Sequence, residues 1–136
     1  MAAEIQALDH VQLPIPLGGA RQARAFYEQA LGLVEWRDPR LDQPGVLRYR
    51  LGSQRLDLCE GAYTGVAPQA HLALQVHALD ALHARLQAAG WPVDRQALDA
   101  QVRLYVEDPF GNRLELIERL ALPRVPLHVD PQRLAI

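Results

Sequence analysis

Cysteine occurs once, at Cys59, so no internal disulfide braces this chain. No apolar run approaches the roughly 20 residues of a membrane span. The N-terminus, Met-Ala-Ala-Glu, has neither the basic start nor the apolar stretch of a secretory leader. These absences make a cytoplasmic location the expectation. Positive charge is nowhere concentrated. The net charge is −2, with no basic block, whereas binding to nucleic acid needs clustered cations. Neither nucleic acid nor membrane is therefore an expected partner. A Ser-His-Asp order, a Walker loop and a dinucleotide glycine motif are also missing. What is present is ordinary for one soluble domain with a real core: 136 residues, 49% hydrophobic and 22% charged.

The informative feature is internal repetition. Arg55-Leu56-Asp57-Leu58-Cys59-Glu60 returns as Arg113-Leu114-Glu115-Leu116-Ile117-Glu118, 58 residues later. At the same spacing, Ala30-Leu31-Gly32-Leu33 returns as Ala88-Ala89-Gly90-Trp91. His10 and His71 each open an apolar alternation, with the surplus residues falling at Pro16-Leu17-Gly18-Gly19. Self-similarity at a fixed period outranks local readings and points to a duplicated supersecondary unit.

Each half reads β-α-β-β-β. Leu8–Ile15 and His71–His77 alternate with period two, as strands with one buried face do. Ala20–Leu31 and Leu79–Ala89 carry helical apolar stripes, each closed by a glycine suited to the left-handed position past a helix end. Short strands are expected at Leu33–Arg37 and Trp91–Asp94. Longer ones are expected at Val46–Leu51, Gln54–Glu60, Val102–Glu107 and Arg113–Glu118. Asp108-Pro109-Phe110-Gly111-Asn112 is a hairpin signal. The fold class is thus α+β: two tandem modules, about 6–61 and 69–119, forming a curved, cup-like mixed sheet with helices on its outer face. Residues 1–119 make one domain, and 120–136 an extended tail.

Parity then groups the polar residues. In all four key strands the leucine and valine set faces one way, while His10, Asp57, His71 and Glu115 fall on the opposite set. Two imidazoles and two carboxylates converging in a cup suit Fe, Mn, Ni, Zn or Co better than calcium, which prefers oxygen alone. His10, His71 and Glu115 would make a facial triad, with Asp57 as a fourth ligand. Glu115 doubles as the catalytic base, since a carboxylate that can release a metal can take a proton. The same residues can also be read as cavity-facing charges paired with Arg55, Arg103 or Arg113. Arg48, Arg50, Arg103 and Tyr105 are candidate substrate contacts. Trp36 and Trp91 read as packing residues, and His77, His83 and His128 as surface residues.

The stretches Leu8-Asp9-His10-Val11-Gln12-Leu13, Ala25-Phe26-Tyr27, Ala70-His71-Leu72-Ala73-Leu74 and Tyr105 to Leu116 resemble the vicinal oxygen chelate superfamily, also called the glyoxalase/bleomycin resistance protein/dioxygenase group. The resemblance covers about 7–119. It implies paired βαβββ modules and a homodimer, in which modules pair within or between chains. Family metal ligands lie on the first and last strand of each module, which here are His10, Asp57, His71 and Glu115. Asp57 stands where glyoxalase I-like members commonly have glutamate, while ring-cleaving dioxygenases and fosfomycin-resistance enzymes use a His, His, Glu set. The implied function is a metal-dependent lyase, isomerase or ring-cleaving dioxygenase acting on a small substrate with vicinal oxygens. The alternative is a metal-free, bleomycin-resistance-like dimer that binds a small molecule or antibiotic.

Overall fold

The computed structural model describes residues 3–63, 65, 70–98 and 100–120. Of the C-terminal tail expected at 120–136, residues 121–136, with His128, lie outside the described residues. The chain is α+β, with two mixed sheets and short helices. In the first half, β1 (His10–Pro16), β2 (Val46–Leu51) and β3 (Gln54–Gly61) form a sheet in the order β1-β3-β2. In the second, β4 (His71–Gln75), β5 (Val93–Leu98), β6 (Gln101–Glu107) and β7 (Arg113–Arg119) run in the order β4-β7-β6-β5. Strands β1 and β3 are parallel, as are β4 and β7, and the other pairs are antiparallel. Strand β1 is at a sheet edge, which is where Pro14 and Pro16 are tolerated.

The register repeats across the duplication. His10 pairs with Arg55 and Gln12 with Asp57; His71 pairs with Arg113 and Ala73 with Glu115. Each histidine therefore stands one row from its module's carboxylate, on the same face. On the next strand inward, Arg48 faces Asp57 as Tyr105 faces Glu115.

The opposite faces hold the core. Leu47, Tyr49, Leu56 and Leu58 of the first sheet and Leu104, Val106, Leu114 and Leu116 of the second are buried in one hydrophobic cluster. Helix α1 (Ala20–Ala23) runs straight into a π-helical stretch (Arg24–Ala30), and together they bury Ala23, Phe26, Tyr27 and Ala30. Helix α2 (Leu79–Ala88) buries Leu79 and Leu86. The two halves meet through these elements. Phe26 packs edge-on against Trp91, with ring centroids 4.9 Å apart. Arg85 Nε donates to the Ala30 carbonyl at 2.9 Å, crossing Gly32, whose φ of +78° a side chain would strain. Gly19 is buried where an added Cβ would meet the Phe110 ring at 3.1 Å.

Neither helix has a side-chain cap of its own, and both take one from the last strand of their module. Glu60 Oε1 accepts from Ala20 N at 3.2 Å, while Glu118 accepts from Ala78 N at 2.8 Å and Leu79 N at 3.0 Å. These glutamates are the final residues of the repeated hexapeptide, so the duplication preserved a long-range cap. Orphan N–H groups and the helix dipole both favour a carboxylate there. Backbone bonds from Leu79 and then Ala78 hold the Glu118 carboxyl below its ordinary value of 4.5. A depressed folded pKa means the stabilisation is present above the unfolded pKa and is lost as pH falls through the folded one. Glu118→Gln is thus expected to lower the melting temperature at pH 7. That deficit should close as pH falls below 4.5. Melts from pH 7 to 3 check it, and a deficit independent of pH would contradict this origin.

The halves differ where sequence alternation misled. The strand expected at Leu33–Arg37 is a single bridge, Glu35 to Tyr49. Glu35 spends its carboxylate on Arg24 and Arg37, and the chain leaves the sheet at Asp38, whose Oδ1 accepts from Arg40 N at 3.0 Å. The strand expected at Trp91–Asp94 starts later, at Val93. Trp91 still belongs to the helix exit, donating its N–H to the Leu86 carbonyl at 3.0 Å.

Candidate functional site

In the second module the expected histidine and carboxylate meet. Strand pairing of β4 with β7 brings His71 Nε2 within 3.3 Å of Glu115 Oε2. Two ligands bound cis to one ion at about 2.1 Å each stand about 3 Å apart, so this is the spacing of a chelating pair. Glu115 is only 6% exposed, and its other oxygen is fixed from strand β6. There Tyr105 Oη donates to Oε1 at 3.1 Å, and Arg103 Nη1 approaches Oε1 at 3.0 Å. Arg103 also donates to Tyr105 Oη at 3.3 Å, while Arg113 lies 4.1 Å over the Tyr105 ring. A cavity of about 600 Å³ opens beside this edge, lined among others by Trp91, Tyr105, Glu107 and Arg113.

The first module has the same backbone register but different pairing. Asp57 is 5% exposed, and both of its oxygens accept from Arg55, at 2.8 and 3.1 Å. His10 is exposed and its Nδ1 lies 2.7 Å from Asp9 Oδ1. That contact holds the Asp9 carboxyl below its ordinary value. Arg48, opposite Asp57, is buried and gives its donors to the Leu41 carbonyl and to Asp42. The ion-pair reading of the carboxylates is thus observed for Asp57 with Arg55 and for Glu115 with Arg103. Arg113 stacks on Tyr105 instead.

Among the described residues of one chain, no three His, Cys, Asp or Glu side chains converge on a point that would hold a metal. His71 and Glu115 come together; His10 and Asp57 lie on the other sheet. The residues present therefore fit a divalent ion as one ready ligand pair and one pair that must be completed, with Asp57 free to join only if Arg55 releases it. Sequence reasoning missed Trp36, assigned there to packing. Its ring carries the guanidiniums of Arg50, Arg48 and Arg55 at 4.9, 5.6 and 5.9 Å from the centroid. Register alone put Arg48 and Arg50 on the Asp57 face, and parity within β2 could not.

Two copies of one strand–helix–sheet unit, sharing a core and each presenting an imidazole and a carboxylate on its polar face, define a paired-module α+β protein. The chain belongs to the Glyoxalase/Bleomycin resistance protein/Dioxygenase superfamily, whose family model matches residues 7–116. Among solved structures it is similar to a glyoxalase family protein from Bacillus anthracis, with 35% identity, a TM-score of 0.78, and coverage of 88% of this chain and 99% of that one. It shares its fold with lactoylglutathione lyase from Agrobacterium tumefaciens, at 22% identity and a TM-score of 0.66, covering 85% of this chain and 96% of that one. It also shares it with a fosfomycin resistance protein from Listeria monocytogenes, at 18% identity and a TM-score of 0.69, covering 85% and 94%. No curated protein matches the chain. No helix among the described residues is long and apolar enough to cross a membrane.

Proposed function

We propose that this protein is a metal-dependent enzyme of the glyoxalase/dioxygenase type, a lyase, isomerase or ring-cleaving dioxygenase working on a small substrate with vicinal oxygens. The observation that carries the reading is the His71–Glu115 pair at ligand spacing, with its carboxylate fixed by Arg103 and Tyr105. His71, Glu115 and His10 would hold the ion, the last from a second copy of the chain, because one chain does not bring it to the pair. Asp57 would be a fourth ligand or the positioning partner of Arg55. When bound, the metal supplies Lewis-acid stabilisation for an anion forming beside two oxygens. Glu115 is the residue proposed to take the substrate proton, with one oxygen oriented by Tyr105 and Arg103 and the other turned toward His71. Tyr105 and Arg103, on the same face, would also contact substrate. The active form is then a homodimer.

Metal content after chelator-free purification, followed by titration with Mn, Fe(II), Co, Ni and Zn, tests this. Wild type is expected to load a divalent ion, and His71→Ala to bind at least about tenfold more weakly. Absence of uptake by wild type would sink the proposal. The Arg55–Asp57 pair favours a second reading, a metal-free dimer that binds a small molecule on this face. That reading expects ligand-dependent thermal stabilisation that chelator does not change.

A further inference from the structure

Across the first sheet, one row of side chains on the polar face reads His10, Arg55, Arg50, and the next reads Gln12, Asp57, Arg48. The corresponding rows of the second sheet read His71, Arg113, Glu107 and Ala73, Glu115, Tyr105. Where the second module has an acid and a tyrosine, the first has two arginines. All 14 basic residues of the chain are arginines, so every side-chain cation here is a planar fork and none is an ammonium.

The three guanidiniums around Trp36 are not equivalent. Arg55 serves Asp57, and Arg48 serves Asp42 and the Leu41 carbonyl. Arg50 lies closest to the indole and has no hydrogen-bond or carboxylate partner among the described residues. It lines a cavity of about 240 Å³ with Arg55, Trp36, Ser53, Gln54, Gly52 and Asp9. The one carboxylate there, Asp9, is held by His10. Arg48 Nε is buried without a hydrogen-bond partner among the described residues. Of the three guanidiniums, Arg50 is thus the one left without a carboxylate among the described residues, and stacking on Trp36 keeps its plane in place. A fork with two parallel N–H groups matches the two oxygens of a carboxylate.

We propose that this cavity is a carboxylate subsite, in which Arg50, seated on Trp36, grips the carboxylate of a small acid. The proposal deepens the functional reading above and rests on it for placing substrate on this face, since the Arg50 row begins at His10. A cavity of this size takes the carboxylate and a few attached atoms, which points to a small organic acid as the substrate class.

The test follows the indole N–H resonances of the full-length protein, of which there are two, from Trp36 and Trp91. Trp36→Phe assigns them. Sodium benzoate is titrated at constant ionic strength, first into chelator-treated and then into metal-treated protein. Benzoate is expected to shift the Trp36 signal saturably, and neutral benzamide to leave it in place. Arg50→Gln, an exposed position whose melting temperature should match wild type, is expected to bind benzoate about tenfold more weakly. Arg50→Lys, which keeps the charge without the fork, is expected to lie between them. The proposal is overturned by equal affinity in Arg50→Gln, by absence of a saturable shift in wild type, or by methylphosphonate binding more tightly than benzoate. A benzoate response in protein that takes up no metal would keep the carboxylate subsite and discard the metal. Metal uptake without any benzoate response would do the reverse.

Discussion

Mixing His10→Ala chains with His71→Ala chains is expected to restore metal binding that neither variant has alone. Each variant destroys a different half of the proposed ligand set, and the two halves lie on different sheets of one chain. If a complete site takes His10 from one protomer and His71 with Glu115 from the other, a mixed dimer has one site with both histidines missing and one intact. Random re-pairing makes half of the dimers mixed, so recovery should approach about a quarter of wild-type capacity. The variants are denatured together, refolded, and assayed for bound metal beside each variant refolded alone. No recovery, with dimers present, would mean that the sites are not shared between chains. The same mixing with Glu115→Ala in place of His71→Ala should give the same quarter, because Glu115 and His71 belong to one half. Combining His71→Ala with Glu115→Ala chains should give nothing.

The second large effect concerns stability. Asp108 is 4% exposed, yet its carboxylate accepts four hydrogen bonds. Tyr27 Oη donates to Oδ2 at 2.7 Å and Asn112 Nδ2 at 2.8 Å, while Phe110 N and Asn112 N donate to Oδ1 at 2.9 and 2.8 Å. The first of these bonds joins the π-helical stretch of one module to the hairpin of the other. Burial, with the Asp108 charge second, pushes the Tyr27 hydroxyl above its ordinary value, so it stays a proton donor. Asp108→Ala strands several buried donors at once. Each orphan costs about 1–3 kcal/mol, so a loss of about 4 kcal/mol is expected, a large share of a typical 5–15 kcal/mol. Tyr27→Phe removes one bond and one polar group together and should cost only about 1 kcal/mol. In the Asp108→Ala background the same change should cost close to nothing, because the acceptor is already gone. Urea unfolding of the four proteins in this cycle measures it. Additive losses would show that the two groups act separately.

Much of this molecule was written in local pattern. Period-two alternation put leucine and valine on one face and His10, Asp57, His71 and Glu115 on the other, and the observed registers keep that division. Asp108 to Asn112 turns as its proline and glycine require, and Gly32 and Gly90 follow their helices with positive φ. These features depend on neighbours within a few residues, which is what a sequence window contains. The repeated hexapeptide was visible too, but its closing glutamates were read only as repeat residues. Their role at the helix starts needs two segments some forty residues apart to meet, as Glu118 and Ala78 do.

What a single string of residues determined, then, was the doubled α+β architecture and which side chains share a face. Tertiary structure decided the partners on that face. Glu115 is taken by Arg103, Trp36 carries three arginines, and His10 and Asp57 stay on a different sheet from His71 and Glu115. The physical reason is that backbone periodicity fixes direction within one strand, enough to put Arg55 beside Asp57 two residues on, whereas Arg103 reaches Glu115 only because the pairing of β6 with β7 brings them within about 4 Å.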